Sequence, residues 1–332
     1  MFLSFRHCSF RLAALALAAI LCLSTATSAR AELKVGVSDW PGWVAWYVAE
    51  QNGYFKKHGA KVKLIWFANY TDSISALSAG QLDANCQTWS DTMAPLSKGV
   101  PVKAILVNDN SDGNDALMVK PAIKSFADLK GKTIALEQYS ISHFVLATAL
   151  AKNGMSFDDV KIVNLSAGDA AAAFLSGRVD ATVVWNPWVN NIQASGKGVA
   201  LFSSKDMPGL IPDLLVARDK AIQTQRAELV GMIKAWQDSQ RFIRDHSDQA
   251  VAIMAKVVGM KPDAYKVFLP GTRFFSLEDN LNALAPASEP ASLLAVGPTI
   301  ATFLKDNRLI DAAPDLVIGV DASLVVDALA SH

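Results

Sequence analysis

Ser38-Asp39-Trp40-Pro41-Gly42-Trp43-Val44-Ala45-Trp46 is the stretch whose reading decides the fold. An alternating apolar run, residues 33–37, precedes it and reads as a strand. A helical pattern follows and runs to Asn52-Gly53, a stop signal. Strand-to-helix turns are where open α/β sheets bind their ligands. Three indoles and a carboxyl in one such turn have two readings. An indole buries a large area, so at least one of the three plugs helix onto sheet. The sharper reading is a ligand box with an acid beside it.

Outward from this turn the chain keeps one rhythm. Residues 62–67 read as a strand and 73–79 as a helix closed by Gly80. The strand 82–86 ends in Gln87-Thr88-Trp89-Ser90-Asp91, and the strand 102–107 ends in the polar loop 108–115. Residues 116–120 are again extended. After Pro121 come a short helix (125–129), a strand (133–136) ending in Glu137-Gln138-Tyr139-Ser140-Ile141-Ser142-His143, and a helix to Asn153-Gly154. A strand (160–163), a helix stopping at Gly177 and a strand (179–184) ending in Trp185-Asn186-Pro187-Trp188 follow. Segments 200–202 and 213–217 are extended. The remainder is helical: 227–244, 247–258, from Pro262, 293–304 and 322–329. Alternating strands and helices give the α/β class, and 332 residues suffice for two lobes, each with its own core.

A weak internal repeat supports two lobes. Ser78-Ala79-Gly80-Gln81-Leu82-Asp83-Ala84 parallels Leu175-Ser176-Gly177-Arg178-Val179-Asp180-Ala181, with the Gly and Asp offset by 97. A tryptophan follows each, Trp89 and Trp185, and facing lobes would bring both indoles to one cleft.

The first 31 residues read as an export signal: Arg6 and Arg11, an apolar run at 12–23, and Ala29-Arg30-Ala31 as the cleavage site. That run is too short to span a bilayer, which takes roughly 20 residues. Loss of Arg6, Arg11 and Arg30 leaves 28 basic against 31 acidic residues, a mature balance of −3, which argues against nucleic acid as a partner. Cys86 then remains without a disulfide partner, as an inert core thiol. Trp66 and Trp236 lie in periodic segments and read as core. No catalytic motif is present, and the four mature histidines lack metal spacing. The expectation is a binding protein without enzyme activity, metal or cofactor.

Four segments together resemble a known family: Gly53-Tyr54-Phe55, Ala76-Leu77-Ser78-Ala79-Gly80-Gln81-Leu82-Asp83, Phe126-Ala127-Asp128-Leu129-Lys130-Gly131-Lys132 and Ala173-Phe174-Leu175-Ser176-Gly177-Arg178-Val179-Asp180-Ala181. They resemble the periplasmic substrate-binding proteins of ABC importers, in the nitrate/sulfonate/taurine group. The resemblance implies a type II periplasmic-binding fold: lobe 1 from 32–116, lobe 2 from 117–216, and a return to lobe 1 with C-terminal helices over 217–332. The crossovers would lie near 115–120 and 215–219, and hinge closure would clamp a small solute. It also implies a monomer that delivers solute to a membrane permease and its ATPase. The tryptophan-rich turn and Gly113-Asn114-Asp115 are similar to a branch whose proposed solutes are guanidine-like. Pyrimidine-synthesising relatives in the thiamine pathway share the architecture and keep a precursor-binding or enzymatic alternative open.

The strand ends contain eight acids (Asp39, Asp72, Asp91, Asp109, Asp112, Asp115, Glu137 and Asp169) and no Lys or Arg. An anion ordinarily meets Arg or Lys, whereas a small cation wants carboxylates and aromatic faces. The expected solute is therefore a small cationic or amide-like nitrogen compound: a guanidinium, urea or an amine. Asp39 and Glu137 are the leading carboxylates, one per lobe, with Asp115 third. Trp40, Trp43, Trp46, Tyr70, Trp89, Tyr139, Trp185 and Trp188 supply the faces, with Ser140 and His143 as a ligand wall. Asp72, Asp91 and Asp169 also read as helix caps, and Asp109 and Asp112 as solvated turn residues. Helix N-termini at the cleft favour anions instead. A sulfonate, taurine or nitrate is the alternative, a taurine-like zwitterion suiting both sets of groups.

Overall fold

The computed structural model describes residues 32–286 and 292–330. The expected export signal, with Cys8 and Cys22, lies outside them. Two mixed sheets organise the chain. The first has the order β11-β4-β10-β3-β1-β2 and the second β7-β6-β8-β5-β9. In chain order the strands are β1 (Leu33–Val37), β2 (Val62–Trp66), β3 (Ala84–Thr88), β4 (Val102–Ser111), β5 (Asp115–Val119), β6 (Thr133–Leu136), β7 (Lys161–Asn164), β8 (Ala181–Trp185), β9 (Val199–Ser203), β10 (Pro212–Arg218) and β11 (Thr272–Phe274).

Each sheet is built on the same unit. β1 lies parallel between β2 and β3, and β6 lies parallel between β7 and β8. Parallel strands need helical crossovers, which cover both faces, and β3 and β8 are buried along their whole length. The 97-residue repeat is part of this unit. Gly80 and Gly177 hold φ of 77° and 80°, left-handed values that end a helix without a Cβ clash. Asp83 then accepts the Lys34 N–H, and Asp180 accepts the Thr133 N–H, at 2.9 and 3.1 Å. The repeated Asp therefore pins each central parallel strand to its neighbour.

The crossovers differ in one place from the sequence reading. The chain leaves the first sheet after Ser111 and enters the second at Asp115. It returns across 204–211, because β10 pairs antiparallel with β3 and β4 in the first sheet. The extended segment 213–217, expected to close the second lobe, belongs to the first. At the hinge, Asn114 donates to the Phe268 carbonyl and Thr272 Oγ1, while its own Oδ1 accepts from Asn186.

The first helical segment is split into Pro41–Val44 and Trp46–Gln51. Trp46 is fully buried, stacked 6.2 Å from Phe55 and 4.7 Å from Trp236 on the long helix Arg226–Asp245. Trp66 is 40% exposed on the edge strand β2, not core as expected, with Tyr47 as its ring neighbour. Cys86 is buried, and burial pushes its thiol pKa well up.

One glycine is required by close approach. A Cβ at Gly42 would sit 1.8 Å from Asp109 Oδ2, and Asp109 is held by the Trp40 indole N–H at 3.0 Å. Gly42→Ala is expected to destabilise by about 1–3 kcal/mol, the usual cost of overpacking. The cost should shrink in an Asp109→Ala background, since the two sites share the contact. Urea unfolding of the four proteins of this cycle checks it; equal costs in both backgrounds would refute the contact.

Candidate functional site

The site grows from the strand ends. Antiparallel pairing puts the start of β10 beside the end of β3, with Asp213 opposite Thr88. In the second sheet the start of β5 lies beside the end of β8, with Asp115 opposite Trp185. The offset of 97 relates Thr88 to Trp185, so Asp213 and Asp115 occupy corresponding places in the two lobes. Between them is a small cavity lined by Trp40, Trp43, Tyr70, Thr88, Asp115, Ile141, Trp185, Ile211 and Asp213. Its four rings form a continuous wall: Trp40 to Trp43 at 6.4 Å, Trp43 to Tyr70 at 5.2 Å, and Tyr70 edge-on to Trp185 at 5.7 Å.

Around this cavity, carboxylates of one lobe meet N–H donors of the other. Asp39, after β1, accepts the indole N–H of Trp185 and of Trp188, each at 2.8 Å. Glu137, after β6, accepts the Thr71 amide at 2.7 Å and the Ala167 amide at 3.4 Å. These amides belong to the first turns of the helices Tyr70–Ser78 and Ala167–Leu175. Asp91 accepts the Tyr70 hydroxyl at 2.8 Å and the Ile141 amide at 3.0 Å, at the start of the helix Ile141–Lys152. Glu137 and Asp91 thus sit where unpaired amides and the helix dipole favour negative charge, whereas Asp39 is held by indole N–H groups alone.

Five of the thirteen expected site residues line the cavity: Trp40, Trp43, Tyr70, Asp115 and Trp185. Asp39, Glu137 and Trp188 lie in the clasps beside it. Ser140 caps the helix Ile141–Lys152, accepting the Ser142 N–H and donating to the Glu137 carbonyl. His143 accepts the Tyr139 N–H at 3.3 Å and packs on Phe157. Tyr139, in the left-handed region at φ 62°, is 70% exposed. Trp46 and Trp89 do not reach the cavity. Trp89 is fully buried and donates to the Leu293 carbonyl, so the two repeat-linked indoles do not converge. The residue corresponding to Trp185 is Thr88, one position earlier.

Two acids were misjudged from sequence. Asp109, read as a solvated turn residue, is fully buried on β4 opposite Asp213. Asp213 itself was overlooked, although an acid heading the apolar run Leu214-Leu215-Val216-Ala217 signals a strand end facing a site. Burial raises both carboxyls well above the usual carboxylate range, and the neighbouring Asp109 raises Asp213 further while the hydrogen bond between the two eases Asp109, as for two acids sharing one place. Burial also pushes Asp91 and Asp115 up to about 7. It raises Asp39 and Glu137 against the pull of their N–H donors, and pushes His143 down to about 4.

Among the described residues no group of acids, histidines and cysteines could hold a metal, and no helix is long and apolar enough to cross a membrane. The NMT1/THI5-like family model matches residues 40–250. A putative aliphatic sulfonates-binding protein of Escherichia coli is 26% identical over 310 residues, 91% of this chain and 93% of its own length. The taurine-binding periplasmic protein of the same organism is 32% identical over 146 residues, 44% of this chain and 46% of its own. The crystal structure of the periplasmic aliphatic sulphonate binding protein from Escherichia coli superimposes with a TM-score of 0.73 at 22% identity, covering 87% of this chain and 92% of that one.

These two Escherichia coli relatives overturn the expectation of a cationic or amide-like nitrogen solute: they are named for aliphatic sulfonates and for taurine. The physical reason lies in the protonation of the acids. Carboxyls that share or hold protons near neutral pH contribute less negative field than their number implies, and amide and indole N–H groups hold anions without Arg or Lys.

The raised carboxyls set a pH dependence. Asp91 and Asp115 titrate near 3.8 when unfolded and near 7 when folded. Between those values the folded state binds more protons, so their contribution is full below about pH 4 and is lost as pH rises to about 7. His143 acts oppositely, adding stability as pH rises from about 4 to its unfolded value of 6.5. Two carboxyls against one imidazole predict a higher urea midpoint at pH 5 than at pH 8. Asp91→Asn and Asp115→Asn should each flatten that decline; an unchanged slope in both would contradict the assignment.

Proposed function

The chain belongs to the NMT1/THI5-like family, and on that footing we propose that it is the solute-binding component of an ABC-type importer whose solute is an organosulfur anion of the aliphatic sulfonate or taurine kind. It is a binding protein and not an enzyme. Family membership implies an associated permease and ATPase, and the fold is of the periplasmic-binding type. Export through residues 1–31, a monomeric state, and division into lobes that close on the solute are part of the same reading.

The observation that carries the proposal is the end-to-end match with the aliphatic sulfonates-binding relative. The donor set is chemically suited to it. Thr71, Ile141 and Ala167 offer helix-terminal amides, and Trp185 and Trp188 offer indole N–H groups, all now held by internal carboxylates. A sulfonate has three acceptor oxygens and can take over such donors, provided that the carboxylate it displaces is protonated or returned to water. Closure is then favoured by whatever extra contacts the solute makes across both lobes.

Titration calorimetry against alkanesulfonates, taurine, nitrate, and ammonium and guanidinium salts tests this. Heat with a sulfonate and none with the simple cations is expected; silence of every sulfonate would overturn the reading. Trp185→Ala should weaken sulfonate binding about tenfold or more, as for a buried aromatic anchor, while thermal unfolding stays cooperative. Unchanged affinity would remove Trp185 from the site.

A further inference from the structure

The buried acid pair behind the aromatic turn has a direction. Asp213 and Asp109 are opposite residues on adjacent antiparallel strands, and the side chains of such a pair share one face of the sheet within reach of each other. The ladder is irregular directly after Asp213, as at bulges that re-aim a side chain beside a site. The two carboxyls hydrogen-bond each other, and Oδ2 of each meets no donor from any other described residue. An ionised carboxyl only accepts hydrogen bonds, so this contact requires a proton.

The surrounding groups decide which acid carries it. Asp109 also accepts the Trp40 indole N–H at 3.0 Å, and donors on two sides suit the carboxylate form. The neighbours that act on Asp213 are all acids: Asp109, Asp115 and Asp91. Their contact lowers Asp109 and raises Asp213. Cys86 and Tyr265, the other titratable groups beside Asp109, are pushed by burial toward their neutral forms. Among the described residues lining the cavity none is Lys, Arg or His. The proton therefore stays on Asp213, which lines the cavity, while Asp109 lies outside the lining and reaches it through Asp213 and Trp40.

We propose that Asp109 is a positioning residue of the solute cavity: as a carboxylate it keeps the proton on Asp213, so that the acid facing the solute is uncharged, and it fixes the Trp40 ring in the aromatic wall. The inference rests on the reading of this cavity as an anion's site and goes beyond it, because Asp109 itself does not touch the solute.

Two isosteric variants each remove one carboxyl of the pair, and they should behave oppositely. In Asp213→Asn the amide donates in place of the acid proton and the cavity face stays uncharged. Its affinity for ethanesulfonate in titration calorimetry should stay within about twofold of wild type. In Asp109→Asn the amide oxygen still accepts from Trp40, but the amide N–H donates to Asp213, which no longer needs a proton and ionises. The charge left at the cavity wall should weaken ethanesulfonate about tenfold. The double variant Asp109→Asn/Asp213→Asn should recover that loss, which a packing defect at Asp109 would not allow. Near-ultraviolet circular dichroism of Asp109→Asn should keep the wild-type indole bands, and thermal unfolding checks that each variant folds. Infrared difference spectra at neutral pH test the proton without solute. Wild type minus Asp213→Asn should show the carbonyl band of a protonated carboxyl, and Asp109→Asn should lack that band. Equal affinities of the two single variants, a double variant as weak as Asp109→Asn, or absence of the band from wild type would each overturn the proposal. Should no sulfonate give heat with the wild type, the sulfonate reading falls and the infrared band alone decides this one.

Discussion

The lobes of this protein are joined across the cleft by carboxylates held by the opposite lobe's N–H groups. A buried carboxylate without partners costs several kcal/mol, so each of these acids requires its donors to be in place. Asp39 requires the indoles of Trp185 and Trp188, Glu137 the amide of Thr71, and Asp91 the amide of Ile141. Separating the lobes breaks all of these at once and returns every group to water. This arrangement is thus a set of mutual satisfactions across the cleft, and a solute that enters it must replace an internal carboxylate or fit beside one. The donors involved are also the ones an anion would use, which is why an acidic cleft is compatible with a sulfonate.

The strand arrangement common to the two lobes explains the placement of the acids in the cavity. Each lobe lays an antiparallel strand beside the third parallel strand of its sheet, and the first turn-facing residues of that antiparallel strand include an aspartate. In one lobe the residue opposite is Thr88, in the other Trp185. The scaffold is therefore quasi-symmetric while its lining is not: a small hydroxyl on one side faces an indole on the other.

Much of this was legible in the chain. Gly80 and Gly177 mark helix ends because only a residue without Cβ holds φ near 80° without strain, and the strands that follow them begin two residues later than the pattern put them, at Ala84 and Ala181. Strand-end loops rich in Trp and Asp marked the cleft. What was not legible depended on long-range pairing. Asp109 looks like a loop residue because Asn, Asp and Ser surround it, yet β4 continues to Ser111 and carries it into the interior against Gly42 and Trp40. Asp213 escaped notice because its strand returns to the first sheet, where it meets Thr88 and Asp109; local pattern contains no trace of that partner. Trp89 and Trp185 looked equivalent, but one residue of offset turns a side chain to the other face of a strand. Trp89 therefore begins a helix and points at Leu293, while Trp185 ends a strand and points at the cleft.

Counting charges misleads in a site of this kind because formal charge and electrostatic field part company once groups are buried together. Asp109 and Asp213 stand opposite each other on adjacent strands, and neither can ionise without raising the cost to the other. Burial pushes Asp91 and Asp115 up to about 7. The cavity is thus better described as a store of exchangeable protons bounded by indole faces than as a fixed negative well. A cationic group entering it would displace protons rather than simply neutralise charge, and a sulfonate approaching the clasps meets carboxyls that protonation can silence.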